Sequence, residues 1–143
     1  VGKLLAEGTF QKDQVAALCI SSHTPTLTPV REDGEPLMNG MIWADGRAVE
    51  ESLELRRDYG NEIASVNPAL IRPYHIISKL FWLKKHKREI YNRTAMFLDC
   101  SNYITYRLTS RFTIDRSMAT NYHFYNIFEK NGTKDWQKNC RSI

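Results

Sequence analysis

Apolar positions along the chain fall into two regimes. Before residue 44 they come in short stretches: the apolar run Val15-Ala16-Ala17-Leu18-Cys19-Ile20, then a second extended segment from Leu27 to Val30, then the short apolar run Met41-Ile42-Trp43. Runs of this length bounded by polar residues read as strands, the first as a buried strand covered on both faces, which implies an α/β layer. Between the second and third runs, Glu32-Asp33-Gly34-Glu35-Pro36 holds an Asp-Gly pair, a strong hairpin-turn signal. From Arg47 the period changes. Ala48, Val49, Ser52, Leu55 and Tyr59 recur at threes and fours, predicting an amphipathic helix with Asp45 as its cap and Gly60 as its terminator. Asn67-Pro68 and Arg72-Pro73 punctuate a loop, after which Ile76, Ile77, Leu80, Phe81 and Leu83 form the stripe of a second helix to about His86. Met96-Phe97-Leu98 leads to Asp99 or Ser101 as the cap of a third helix through Leu108. Residues 111–114 read as extended, and a further helical turn begins near Asp115. The predicted class is α/β, with strands first and a helix-rich second half.

The two ends add to this picture. Residues 1–8 resemble the last turns of a helix closed by Gly8, and residues 136–143 read as a helix without a terminating cap. The expectation is one incomplete domain over residues 1–143, an internal segment of a longer chain. Its 143 residues, 42% of them apolar, are enough for a core of usable size. Twenty Lys and Arg against sixteen Asp and Glu leave a net charge of +4, which suits phosphates or nucleic acid and requires neither. Cys19, Cys100 and Cys140 form no C-x-x-C pair, so neither a disulfide framework nor a zinc ribbon is signalled and a reducing cytoplasm is expected. No run approaches the ~20 apolar residues of a membrane span.

Phosphate loops of known spacing are absent, because the glycines at 2, 8, 34, 40, 46, 60 and 132 make neither G-x-x-x-x-G-K nor G-x-G-x-x-G. His23, His75, His86 and His123 are scattered without the offsets of a ligand pair, so no metal site is expected. The segment Ser21-Ser22-His23-Thr24-Pro25-Thr26 follows the first apolar run, where open α/β sheets bind ligands, and its hydroxyls and imidazole suit a polyol. A polar loop whose Ser and Thr bond their own backbone is the explanation that the pattern alone favours. In Ile42-Trp43-Ala44-Asp45-Gly46-Arg47, a Trp ring could pack the apolar face of a sugar while Asp and Arg supply an acceptor and a fork of donors. The competing explanation is a core Trp followed by a helix cap. Tyr74 could project a phenol into the same cleft or simply pack. Lys84-Lys85-His86-Lys87-Arg88, beside Trp82 and Tyr91, fits either a nucleic-acid footprint or the basic end of a solvated helix. Asp99 and Asp115 read mainly as caps.

Three stretches, Ala17 through Leu27 in the order ALCISSHTPTL, then Asp33-Gly34-Glu35-Pro36-Leu37, then Ile42-Trp43-Ala44-Asp45-Gly46-Arg47-Ala48, resemble the first-domain signature of the FGGY carbohydrate kinases. Tyr74-His75-Ile76-Ile77-Ser78-Lys79-Leu80-Phe81-Trp82-Leu83 resembles that family's tyrosine, lysine and tryptophan stretch. The run from Phe97 to Thr109 and that from Ile114 to Thr120 resemble its later segments, in the same order. The resemblance implies a ribonuclease H-like domain of the actin and hexokinase superfamily, and transfer of the γ-phosphoryl group of ATP, with Mg2+, to a hydroxyl of a sugar or polyol. It places Trp43, Thr24, Pro25 and Tyr74 in the sugar pocket, with Asp45 and Arg47 in or near it. Glycerol kinases carry Arg-Glu, and bacterial xylulose kinases Met-His, where this chain has Thr24-Pro25. A proline side chain donates no hydrogen bond, so a xylulose-like ketose or a sugar acid is expected in preference to glycerol. His23 stands in place of a usual Gln and can donate instead. The family's aspartate-glycine-threonine phosphate loop lies upstream of such a segment and its catalytic aspartate downstream, so no catalytic residue is expected here and the isolated piece should be inactive. The whole protein is expected to be a cytoplasmic enzyme, possible as a homodimer, with neither nucleic acid nor membrane as partner. The rivals are a basic nucleic-acid-binding module and a fragment that binds sugar without chemistry.

Overall fold

The computed structural model describes residues 2–8 and 11–132. In chain order these form α1 (Gly2–Glu7), a 3-10 turn (Lys12–Gln14), β1 (Thr28–Val30), α2 (Val49–Val66), α3 (Ile76–His86), α4 (Arg88–Arg93), β2 (Met96–Leu98), α5 (Cys100–Thr109), α6 (Arg116–Asn121), β3 (Tyr125–Asn126) and β4 (Asn131–Gly132). The helix read into residues 136–143 lies outside the described residues.

β1 is the strand on which the first half is organised. β2 pairs with it antiparallel, Thr28 opposite Leu98 and Val30 opposite Met96. Its other edge takes single bridges from Met41 to Leu27 and from Pro36 to Val30. The expected Asp-Gly turn makes that second contact possible. Gly34 adopts φ +79 and its N–H donates to Arg31 O at 2.9 Å, while Asp33 Oδ1 accepts from Glu35 N at 3.0 Å. Only glycine fits there, because a Cβ would sit 2.1 Å from Tyr106 Cε1.

With both edges of β1 occupied, residues 15–20 have no described strand to join. The strand expected there does not form, and Val15 and Leu18 are 37% and 60% exposed. An apolar run becomes a strand only where a ladder partner exists for its backbone. Met96–Leu98, read only as the approach to a cap, is instead the partner of β1. Residues 111–114 are irregular and exposed.

The helices follow the periodicity, with instructive differences at the ends. α2 does not stop at Gly60. It runs to Val66, because the apolar period continues to Ile63, which is buried against α3, and Gly60 costs an exposed helix interior only about 1 kcal/mol. Nor does Asp45 cap it; the N-cap is Ala48, without a side-chain bond, because the Asp45 carboxylate is held by Arg47. Asp99 and Asp115 do cap α5 and α6, accepting from Ser101 N at 3.4 Å and Met118 N at 3.0 Å.

α3 lies between two apolar clusters and belongs to both. Ile77 and Phe81 pack with Leu55, Ile63 and Ile71 toward α2, whereas Ile76 packs with Leu27 and Met41 toward β1. Buried on several faces, such a helix tolerates a polar side chain only where that side chain is satisfied. Two are present: Ser78, whose Oγ donates to Arg72 O at 2.9 Å, and Lys79.

Candidate functional site

Lys79 has no solvent-accessible surface. Its ammonium donates to Pro25 O at 3.1 Å, Met41 O at 3.1 Å and Ile42 O at 2.9 Å. Three N–H donors thus meet three carbonyls, the full complement of a lysine head group. Burial pushes its pKa down to about 8, against the opposing charges of Asp45 and Asp99, which favour the ammonium. The same helical residue therefore pins the loop carrying His23, Thr24 and Pro25 and the segment that delivers Trp43.

The first of these loops is fixed a second time from the N-cap of α5. Asp99, fully buried at the start of α5, accepts from Thr26 N at 2.7 Å through Oδ2 while its other oxygen caps the helix. The Thr24–Pro25 peptide is cis, Pro25 is buried, and the Thr24 hydroxyl donates to Met118 Sδ at 3.1 Å. His23 is exposed, with Nε2 at 3.6 Å from Cys100 Sγ.

After Ile42 the chain turns sharply, Asp45 N donating to Ile42 O at 2.9 Å. Asp45 then binds Arg47 with both carboxylate oxygens, at 2.8 Å to Nε and 2.8 Å to the terminal nitrogen. Burial alone would raise the Asp45 carboxyl, but the hydrogen bonds from Arg47 and the charges of Arg47 and Lys79 hold it below the ordinary value. The Arg47 guanidinium lies over the Trp82 ring of α3, 4.8 Å from its centroid. Trp43 stands out of this braced turn 56% exposed, so it is not a core tryptophan.

Tyr74 is 41% exposed beside the start of α3 and meets His75 edge-on, with ring centroids 4.7 Å apart. His75 accepts from Arg72 N at 3.2 Å and lies 4.7 Å from the His123 ring. Burial above all, with the charges of His123, Arg72, Lys79 and Arg56, lowers its pKa to about 4. His123 is buried as well, at φ +58, its Nε2 3.3 Å from Ala69 O and its Nδ1 unpaired. Burial lowers its pKa too.

The structure therefore brings Pro25 and the backbone before Trp43 together on Lys79, and joins Asp45 to Arg47. Tyr74 contacts its neighbour His75 and makes no ring contact with Trp43. Two clefts lie elsewhere. One of about 560 Å³ is lined by Leu98, Phe112, Ile114 and Tyr122 among others, and one of about 570 Å³ by Phe81, Tyr91 and Phe97, and neither includes a candidate sugar residue. Within the basic run at the end of α3, Lys85 pairs with Glu54, His86 meets Glu51 at 3.0 Å and stacks on Trp82, and Lys84 lies over Tyr91, while Lys87 and Arg88 are exposed. The sequence reading names Lys79 only within the tyrosine, lysine and tryptophan stretch and Asp99 only as a cap, without their hold on the two loops. A charged residue within an otherwise apolar stripe was the available signal for Lys79.

Residues 1–141 match the N-terminal domain model of the FGGY family of carbohydrate kinases. The chain belongs to that family. It is 21% identical over 135 residues to the xylulose kinase of Bacillus subtilis, covering 94% of this chain and 27% of that protein. It is 28% identical over 122 residues to the glycerol kinase of Thermococcus kodakarensis, covering 82% of this chain and 24% of that one. Among solved structures, gluconate kinase from Lactobacillus acidophilus superposes with a TM-score of 0.84 over 97% of this chain and 28% of its own, at 24% identity. Xylulose kinase from Rhodospirillum rubrum gives 0.76 over 83% and 25%, at 20% identity. These likenesses establish the α/β kinase fold. The FGGY chain spans about a quarter of the length of the relatives it matches.

Membership in a kinase family implies use of ATP. The described residues do not fit the nucleotide, however. Gly34, the positive-φ glycine among them, is packed under Tyr106 in a hairpin and is not free to cradle a phosphate. No step of phosphoryl transfer is assigned to these residues. No described helix is long and apolar enough to cross a membrane.

Proposed function

We propose that this FGGY chain is a segment of the N-terminal domain of an ATP- and Mg2+-dependent sugar kinase, and that it builds one wall of the sugar site from Trp43, Asp45, Arg47, Tyr74 and the His23-Thr24-Pro25 loop. The observation that carries the reading is the exposure of Trp43 at the end of backbone anchored by a buried lysine. At 56% exposure much of the Trp43 ring is free to meet a ligand. Held rigidly, it offers a flat apolar surface to the C–H face of a sugar at little cost in entropy. The Asp45–Arg47 pair beside it supplies acceptor and donor groups already oriented by one another.

The chemistry of the loop supports a xylulose-like ketose or a sugar acid over glycerol. Pro25 has no side-chain donor and its carbonyl is committed to Lys79, while the Thr24 hydroxyl is turned to Met118. Polar recognition in this reading falls to His23, Tyr74 and Arg47. The phosphate loop and the general base belong to the remainder of the enzyme, so the 143-residue chain alone does not transfer phosphate.

The test is ADP release by the full-length protein with Mg-ATP and a panel of ketoses, sugar acids and polyols. Turnover of a ketose or sugar acid is expected, with Trp43→Ala raising the sugar KM by roughly tenfold and leaving the ATP KM within about twofold. Absence of turnover across the panel, or a Trp43→Ala variant with unchanged sugar KM, overturns the proposal. Duplex binding that weakens steeply with salt would mark the nucleic-acid alternative instead.

A further inference from the structure

We infer that Lys79 is a positioning residue that sets the sugar wall by holding Pro25, Met41 and Ile42 on a single ammonium. The inference rests on the sugar-kinase reading for its functional consequence, but its geometric content stands independently. The three carbonyls come from positions 54, 38 and 37 residues away in sequence. Met41 O also accepts from Leu27 N at 3.1 Å, and Leu27 O accepts from Met41 N at 2.9 Å, so the head group closes the end of the bridge between the two site segments. No carboxylate contacts Nζ directly. The charged and titratable groups facing it are Asp45 from the turn, Asp99 from the start of α5 and His75 from the N-cap of its own helix.

The arithmetic of donors makes the arrangement responsive to protonation. A neutral amine has two N–H groups for three carbonyls, and its lone pair must face the third. One wall segment is then released. Because burial lowers the pKa toward 8 from an ordinary value of 10.5, global stability rises with pH over that interval, and any loosening confined to residues 24–27 and 41–43 is not general unfolding.

The experiment compares the full-length protein with Lys79→Arg, which stays charged, and Lys79→Gln, between pH 7 and 9.5. Hydrogen-exchange mass spectrometry, corrected for the intrinsic pH dependence of exchange, follows peptides containing Leu27 and Met41; steady-state kinetics follow sugar and ATP separately. In the unmodified protein, exchange at these peptides accelerates several-fold above pH 8 while α2 peptides stay protected, and the sugar KM rises roughly tenfold, the equivalent of one lost hydrogen bond, with ATP KM unchanged. Lys79→Arg suppresses both changes. Unaltered protection of Leu27 and Met41 across this range, or the same alkaline response in a folded Lys79→Arg protein, overturns the inference. A protein that turns over no sugar defeats the kinase reading, and the exchange measurement, which needs no sugar, then decides the role of Lys79 alone.

Discussion

Replacing Asp99 tests how firmly the first site loop is held from beneath. Its two oxygens do separate work: Oδ2 accepts from the buried Thr26 N–H at 2.7 Å, and Oδ1 caps α5 through Ser101 N at 3.4 Å. Asp99→Ala removes both. Loss of the cap costs about 1 kcal/mol. Leaving the Thr26 N–H buried without a partner costs about 2 kcal/mol more, and Thr26 is only 2% exposed, so water cannot readily replace the carboxylate. The expected total is about 3 kcal/mol, or a fall of roughly 1–2 M in the urea midpoint for a domain of this size. Asp99→Asn keeps an acceptor for Thr26 while discarding the charge that supports Lys79, and should cost about half as much. Chemical denaturation followed by far-UV circular dichroism measures both. A fall below about 0.5 kcal/mol for Asp99→Ala, or equal losses for Ala and Asn, would show that the carboxylate does not hold the loop as described.

Three further outcomes follow from geometry already given. Acidification destabilises the fold through His75: with a folded pKa near 4 and an unfolded one near 6.5, the neutral ring's contribution is complete above about pH 6.5 and is lost as pH falls toward 4, amounting to at most ~3 kcal/mol, and denaturation midpoints that stay constant from pH 7 to 5 would contradict this. Gly34→Ala should destabilise by more than about 2 kcal/mol, since φ is +79 and the new methyl would collide with the Tyr106 ring, whereas Gly60→Ala should stabilise by about 1 kcal/mol in an open helical position; thermal melts that rank the two in the opposite order refute the account. Arg47→Ala should change stability by less than about 1 kcal/mol, because the guanidinium is largely exposed, yet shift the emission of Trp82, on whose ring it lies.

Much of the fold is written locally, and the exceptions share a cause. α3 is legible because Ile76, Ile77, Leu80, Phe81 and Leu83 repeat at the helical period, and Asp99 and Asp115 are legible as caps because capping is a contact between near neighbours. Gly60 misleads because a local breaker is outweighed by Ile63, whose burial is a tertiary fact. Residues 15–20 mislead because apolar content says nothing about whether a ladder partner is free, and the edges of β1 are taken by Met96–Leu98, Pro36 and Met41. The site divides in the same way. Trp43, Asp45 and Arg47 lie within one turn and can be read as a group. The convergence of Pro25, Met41 and Ile42 on Lys79 spans dozens of residues in sequence, and nothing in any single stretch encodes it.

Because α3 faces α2 through Ile77 and Phe81, β1 through Ile76, and the proposed sugar wall through Lys79, an FGGY chain built this way has a route to new substrates that avoids every residue proposed to touch the sugar. Exchanging one methyl group at Leu55 or Ile63 would tilt or slide the helix by a fraction of an ångström, and the ammonium would carry that displacement to three carbonyls at once. Substrate preference in such lineages can drift through their interiors while the pocket sequence stays constant, and a library confined to pocket residues would miss those variants.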